Sequence, residues 1–297
     1  MEAVKESLKR SLPTAILCLL LTPSLPLYGA EKQTDIRLWL TSLDEAREAA
    51  QSSGRQIIVD LWADWCTWCR KLEENVFSTP AFQTYAEKFV LLRVDTEDGG
   101  EGTRLKERYQ IDSLPTTLIL SADMVKVGQL QGYLEAEPYI QSLDLERLMH
   151  YLLLQAFDEA SQAGDVETLK MMADDFHDRQ DGRRSAALYR MLLQEPDVDP
   201  NETAWNQYLL ADSLRLGGET EAARKAQQEA RSSAIEIDDP NLLELTDLLP
   251  YQIARDVSRC DDAEAALLAF LSRHPDGRYR KQAQKDLATI RRDRRCV

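Results

Sequence analysis

Histidine and cysteine, the usual ligands of structural zinc, are scarce in this sequence. Its three histidines, His150, His177 and His274, lie far apart, and of its five cysteines only Cys66 and Cys69 are close together. A structural zinc site usually has four ligands at short spacings. The sequence therefore predicts no metal and no bound cofactor.

Basic residues and long apolar runs are also in short supply. The chain has 36 Lys and Arg against 51 Asp and Glu, which gives a formal net charge of −15. Nucleic-acid binding needs basic surface, so the charge argues against a nucleic-acid partner. The only apolar run near an end of the chain, Ala15–Leu21, is too short for a comfortable membrane span.

That short run fits an export signal. Basic residues between Lys5 and Arg10 precede it, and small residues suited to cleavage follow near position 30. We therefore expect residues 1–30 to be a signal peptide that directs the protein to the periplasm or outside the cell. Cys18 would leave with the signal, and an uncleaved anchor is the alternative.

Strand and helix patterns alternate over residues 31–150 and predict an α/β domain. Buried strands are expected at Gln56–Trp62 and Phe89–Val94, a hairpin at Thr116–Leu130, and a closing helix from Glu135 to about His150.

Residues 151–297 carry helical patterns only and predict an all-α domain. The stretch Ala186–Leu193 is similar to Ala265–Leu271, and small residues recur at helical spacing between them. This looks like degenerate tetratricopeptide repeats, in which helix pairs stack on one another. Irregular helical packing is the alternative.

The segment Trp65-Cys66-Thr67-Trp68-Cys69 carries the chemistry. It follows the predicted strand Gln56–Trp62, which holds an acid, Asp60, in an apolar run. Cysteines spaced in this way at a helix start can switch between dithiol and disulfide, and the helix N-terminus favours the thiolate of the first. The later sequence Leu114-Pro115-Thr116 places a proline just before a strand.

Together these residues resemble the thioredoxin family, and in particular the periplasmic C-terminal domain of the thiol:disulfide interchange protein DsbD. The shared features are the run Ala63-Asp64-Trp65-Cys66, a basic residue after Cys69, and the pattern Glu-x-x-x-Phe-Ser-x-Pro at Glu73–Pro80. The resemblance covers about residues 35–148.

The resemblance implies a role for each motif residue. Cys66 would be the exposed attacking thiolate and Cys69 the resolving thiol one turn deeper. Asp60 would be a buried carboxylate with a raised pKa that accepts a proton from Cys69. Leu91 takes the place of a lysine that thioredoxin holds near this acid. Pro115 would be a cis-proline facing the cysteines.

The same resemblance predicts a surface that binds protein substrates. Exposed aromatic side chains and the residues around the proline would form it. These residues are Trp65, Trp68, Leu114 and Thr116.

Cys260 and Cys296 lie too far apart for a second Cys-x-x-Cys motif. In an oxidising compartment we expect them to form one structural disulfide that fastens the last helix. A second redox pair and two free thiols are the alternatives.

The sequence thus predicts an exported thiol:disulfide oxidoreductase that acts on protein thiols or disulfides, with reduction the favoured direction. A separate electron donor, such as a membrane reductase, would be required, and the helical domain would dock a protein partner. The rival hypothesis is a binding or chaperone-like scaffold. Peroxidase activity at Cys66 is a third hypothesis, which no motif supports.

Overall fold

The computed structural model describes residues 39–163, 165–196, 198–293 and Cys296. The predicted signal peptide at residues 1–30 lies outside the described residues. Within them, no helix is both long enough and apolar enough to cross a membrane.

The first part of the chain is built on a mixed five-stranded sheet. Its strands are β1 (Trp39–Leu40), β2 (Ile57–Trp62), β3 (Val90–Asp95), β4 (Thr116–Leu120) and β5 (Lys126–Gln131). They are ordered β1-β3-β2-β4-β5. The first three run parallel, and β4 and β5 form the predicted antiparallel hairpin. The α/β prediction for this part is confirmed.

Helices cover both faces of the sheet, which explains why the central strands are largely buried and mostly apolar. They are α1 (Leu43–Ser53), α2 (Thr67–Leu72) with a π-helical turn at Glu73–Phe77, α3 (Pro80–Ala86), α4 (Glu101–Arg108) and α5 (Ala136–Ala163). The core on one face includes side chains of α1 and α4, and the core on the other includes side chains of the π-helical turn, α3 and α5.

Alternation along β2 and β3 decides which face carries the charged residues of these strands. Val59 and Leu92 belong to the core that includes α1 and α4, whereas Ile58 and Leu91 belong to the opposite core. Asp60 lies two residues beyond Ile58 and therefore shares the face of α3 and α5.

The second part of the chain is entirely helical in its described residues. Its helices are α6 (Val166–Asp178), α7 (Gly182–Leu192), α8 (Pro200–Leu216), α9 (Thr220–Glu236), α10 (Pro240–Asp256), α11 (Cys260–Arg273) and α12 (Arg280–Asp293). Each packs on the next in sequence, and several small cores follow one another along the array. The all-α prediction is confirmed, while the repeat character stays a prediction.

One glycine of this part allows two helices to approach closely. A Cβ atom added to Gly182, at the start of α7, would lie 2.2 Å from the backbone nitrogen of Gly217. Only glycine fits where the backbones of α7 and the end of α8 approach so closely.

The closing helix of the α/β part is longer than predicted. It does not end near His150 but continues without a break to Ala163. The sequence offers no glycine or proline between these positions to stop it. The predicted boundary at residue 150 therefore falls inside one helix.

The helical part also contacts the outer edge of the sheet at the start of β5. The Lys126 backbone N–H donates to the Arg179 carbonyl at 2.8 Å, and the Arg179 guanidinium donates to the Val127 carbonyl at 3.0 Å. Since β5 pairs with β4 alone, these contacts satisfy part of an otherwise open strand edge.

A disulfide joins Cys260, the first residue of α11, to Cys296 beyond the end of α12. Cys296 is buried in a core that includes Leu267 and Leu287. The structure thus has the pairing that was expected, and its role as a structural bond stays a prediction.

We expect removal of this disulfide to destabilise the protein without affecting its thiol chemistry. The bond closes a loop with a sequence separation of 36 residues. Its loss in a Cys260→Ser/Cys296→Ser variant should lower the free energy of unfolding by roughly 3–4 kcal/mol. Urea unfolding of the oxidised protein measures this difference. Unchanged stability would contradict a structural role, and lost thiol exchange would favour the redox alternative.

Candidate active site

The close cysteine pair lies where β2 gives way to α2. Cys66 and Cys69 are joined by a disulfide, with their Cα atoms 5.3 Å apart. Cys66 occupies the N-cap position of α2, and its sulfur accepts the backbone N–H of Cys69 at 3.1 Å. The strand-to-helix placement predicted from the sequence therefore brings the two sulfurs together.

Cys66 is not exposed, contrary to the prediction. Only 2 % of its surface is accessible, and Cys69 is buried as well. The reason is that the sulfur of Cys66 bonds inward to that of Cys69 and caps the helix, so it does not point into solvent.

Exposed aromatic side chains surround the buried disulfide, as predicted. Trp65 is 61 % exposed and Trp68 is 51 % exposed. The Trp65 ring N–H donates to Glu97 at 2.8 Å. The Trp68 ring lies 5.5 Å from that of Tyr133, with the Lys71 ammonium 4.3 Å from the Trp68 ring centroid. The sequence analysis did not predict Tyr133 at this site. Its position just after the hairpin could have indicated it.

Pro115 lies at the same end of the sheet as the disulfide. Leu61 on β2 pairs with Thr116 on the antiparallel strand β4. Pro115 is therefore level with Trp62, and the chain continues from Trp62 to Cys66. The peptide bond between Leu114 and Pro115 is cis.

The turn after β5 is hydrogen-bonded to the segment that contains Pro115. The Pro115 carbonyl accepts the Gly132 backbone N–H at 2.9 Å. Gly132 has a φ of 85°, a conformation that favours glycine. The turn brings the next residue, Tyr133, beside Trp68.

Thr116 does not fit the predicted role in substrate binding. Its side chain is fully buried, its hydroxyl donates to the Ser113 carbonyl at 2.7 Å, and its backbone pairs with strands on both sides. A residue inside the sheet has no free side for a partner. Leu114 is half-buried and precedes the strand, so it keeps its predicted role as a proposal.

Asp60 is a buried carboxylate in the centre of β2. Neither of its oxygens has a hydrogen-bond partner. Burial raises the pKa of Asp60 from 3.8 to about 7, with Arg93 opposing the shift and Glu73 adding to it. An acid with such a pKa can exchange protons near neutral pH.

A cation that the sequence analysis missed lies beside this acid. Arg93 on β3 is directly opposite Asp60, and its Nε lies 3.3 Å from the Asp60 Oδ2, though not in hydrogen-bond geometry. The same guanidinium lies 2.9 Å from a carboxylate oxygen of Glu73, in the π-helical turn that follows α2.

Arg93 supplies a charge that Leu91, in the position predicted to replace a lysine, does not. Leu91 belongs to the apolar core, and the positive charge near the acid comes from Arg93, two residues further along the same face of β3. Arg93 is the only basic residue of β3, whose other residues are apolar except the terminal Asp95.

The described residues contain no group of three or more His, Cys, Asp or Glu side chains arranged to hold a metal ion. The site contains a disulfide at a helix start, a buried acid with a raised pKa and exposed aromatic side chains. These are the components of thiol–disulfide exchange with another protein.

Comparisons with known proteins bear on this site. Residues 38–122 match a family described as Thioredoxin-like. The chain is 30% identical over 126 residues to the thiol:disulfide interchange protein DsbD of Haemophilus ducreyi, which is 41% of this chain and 21% of that protein. It is 32% identical over 103 residues to DsbD of Klebsiella pneumoniae, which is 34% of this chain and 17% of the relative.

Among solved structures, the oxidised DsbD C-terminal domain of Neisseria meningitidis aligns with a TM-score of 0.33 at 19% identity, covering 37% of this chain and 99% of that domain. The chain spans about a fifth of the length of the curated relatives it matches. Residues 38–122 are thus a thioredoxin-like domain with a Cys-x-x-Cys pair, and the chain has homologues among the thiol:disulfide interchange proteins.

Proposed function

We propose that the protein is an exported thiol:disulfide oxidoreductase that reduces disulfides in other exported proteins. The observation that carries the proposal is the Cys66–Cys69 disulfide at the start of α2, together with the buried carboxylate of Asp60 on the preceding strand. The similarity to the thiol:disulfide interchange protein DsbD supports exchange of disulfides, and the DsbD-like motif favours reduction as its direction.

The reaction begins from the dithiol form. The Cys66 thiolate attacks one sulfur of a client disulfide, so a Cys66–client disulfide forms and the other client sulfur leaves as a thiolate. The Cys69 thiolate then attacks the sulfur of Cys66. The Cys66–Cys69 bond forms, the second client sulfur leaves, and the client has gained two electrons.

Asp60 serves the second of these steps. Cys69 attacks only as a thiolate, so its proton must leave first. A carboxyl with a pKa of about 7 is partly ionised at neutral pH and can take up that proton. Arg93 and Glu73 act as positioning residues, because they set the charge around the acid.

The cycle needs a partner at each end. Each turnover leaves the pair oxidised, so a separate dithiol donor, such as a membrane reductase, must return two electrons to it. We propose that the stacked helices α6–α12 dock a protein partner, since helix arrays offer extended surfaces for binding. Export through residues 1–30 belongs to the same proposal.

Trapping of mixed disulfides tests the function. A Cys69→Ser chain keeps the attacking thiol and lacks the resolving one, so we expect it to accumulate disulfide-linked adducts with client proteins. Non-reducing gels after alkylation, followed by mass spectrometry of the adducts, measure this.

The matched control is the Cys66→Ser/Cys69→Ser chain, which should form none of these adducts. A scaffold would still bind its partners non-covalently in this control. Absence of disulfide-linked adducts from the Cys69→Ser chain would overturn the proposed function. Trapped exported proteins would identify clients, and a trapped membrane protein would identify the donor.

A further inference from the structure

A cavity lies where the α/β part and the helical part of the chain meet. Its volume is about 340 Å³, which is at the lower end of the range for small-molecule sites. The α/β part contributes residues of α1, α4 and the hairpin tip, and the helical part contributes the end of α8, the start of α9 and the end of α10. The cavity therefore exists only in the full chain and in neither part alone.

This cavity is remote from the cysteine site. Met124, in its lining, belongs to the turn that follows β4. The last residue of β4, Leu120, pairs with Ile57, the first residue of β2, whereas the cysteines follow the other end of β2. The cavity is thus at the opposite end of the sheet, and an inference about it does not depend on the proposed redox function.

Arg215 is one of three arginines in the lining, and its charge is already neutralised. Its Nε lies 2.6 Å from the Asp212 carboxylate, and its guanidinium also contacts Asp256, another residue of the lining. Arg255 lies 3.0 Å from the same Asp256. Because two arginines and two aspartates balance in charge, this network stabilises the wall of the cavity and is not available to a ligand.

The other two arginines, Arg47 and Arg108, lack such partners. Their guanidinium groups make no hydrogen bond or ion pair with any other described residue. The Arg108 guanidinium lies 5.6 Å from the ring centroid of Tyr109, and both cations oppose the rise in the pKa of Tyr109 that burial causes, so both lie near this residue. Asp123 is the remaining charged group of the lining, which leaves the unpaired groups with a net positive charge. Like charges that share a cavity repel each other, and an anion between them is attracted by both.

We propose that this cavity binds a small anion that carries a phosphate or a carboxylate group. A guanidinium can donate two parallel N–H bonds to either group, and Thr220 adds a hydroxyl to the lining. Arg47 and Arg108 come from the α/β part and Thr220 from the helical part. The bound anion therefore contacts both parts of the chain and fastens them to each other.

Isothermal titration calorimetry of the full oxidised chain with inorganic phosphate tests the proposal. Sodium chloride holds the ionic strength constant, so that the screening of surface charges does not change during the titration. We expect saturable binding at one site per chain. Arg47→Gln and Arg108→Gln should each raise the dissociation constant about tenfold, because each removes a charged donor to the anion. Both side chains are exposed, so both variants should fold.

The matched control is Arg104→Gln, which removes a charge from the same helix as Arg108 but from a residue outside the lining. It should leave the dissociation constant unchanged, and circular dichroism checks that each variant is folded. A parallel titration with succinate distinguishes the two sources of the anion, since tighter binding of phosphate or of succinate identifies the group that the site prefers. Absence of saturable binding of both anions up to about 10 mM would overturn the proposal, as would equal effects of Arg104→Gln and Arg108→Gln.

Discussion

A Cys66→Ser chain is expected to lose thiol–disulfide exchange almost completely. Turnover should fall by roughly a thousandfold or more, because the hydroxyl that replaces the thiol is not a nucleophile toward sulfur under these conditions. The fold should be retained, since Cys66 caps a helix and serine is among the best residues at that position.

The measurement is the rate at which the purified dithiol form reduces a disulfide-bonded test protein. The Cys260→Ser/Cys296→Ser chain is the matched control, since it also loses one disulfide but should keep its turnover. Residual exchange by Cys66→Ser close to the wild-type rate would assign the chemistry to other cysteines and contradict the mechanism.

Replacing Asp60 by asparagine is expected to stabilise the protein while slowing it. The pKa of this acid is about 7 in the folded chain against 3.8 for an ordinary aspartate. Between these two values the folded chain binds a proton that the unfolded chain has released, so stability falls as the pH rises through this window. Above the folded-state pKa, ionisation of the buried acid lowers the free energy of unfolding by its full amount, up to about 4 kcal/mol.

Asparagine does not ionise and escapes this cost. Asp60→Asn should therefore raise the free energy of unfolding by up to about 4 kcal/mol at about pH 8, and by little at about pH 3, where both states of the wild type are protonated. Denaturant unfolding at the two pH values measures the difference. Asp123→Asn, at the exposed tip of the hairpin, is the control. Equal effects at both pH values would contradict the burial argument.

The same variant should lose a step in its pH–rate profile. The wild-type rate should rise through about pH 7 as Asp60 ionises and becomes able to accept the proton of Cys69. Asp60→Asn should be slower by about a hundredfold above that pH and lack the step. A step that persists in the variant would belong to another group.

The sequence predicted much of the fold because its signals were local. The apolar run before Cys66 indicated a buried strand. Because the Cys-x-x-Cys motif follows it directly, the position of Asp60 relative to the cysteines could be predicted from one short segment. The hairpin at Thr116–Leu130 was likewise marked by two strand patterns and a short turn.

What the sequence did not reveal depended on residues that are distant along the chain. Arg93 meets Asp60 only through the register of β3 on β2, which no local pattern specifies. Cys66 is buried in the disulfide form that the structure shows, a form that the motif alone does not distinguish from the dithiol. Thr116 was misassigned because its pairing on both sides was not visible from the motif.

The contact between Arg179 and β5 has a consequence for how the protein can be divided. A cut at residue 150 would split α5 and uncover an unpaired backbone ladder, which is a template for association with other chains. We therefore expect a piece that ends at residue 150 to associate more readily than one that extends through Arg179, which keeps these contacts. Truncation between residue 150 and Arg179 would shorten the protein but lower its solubility.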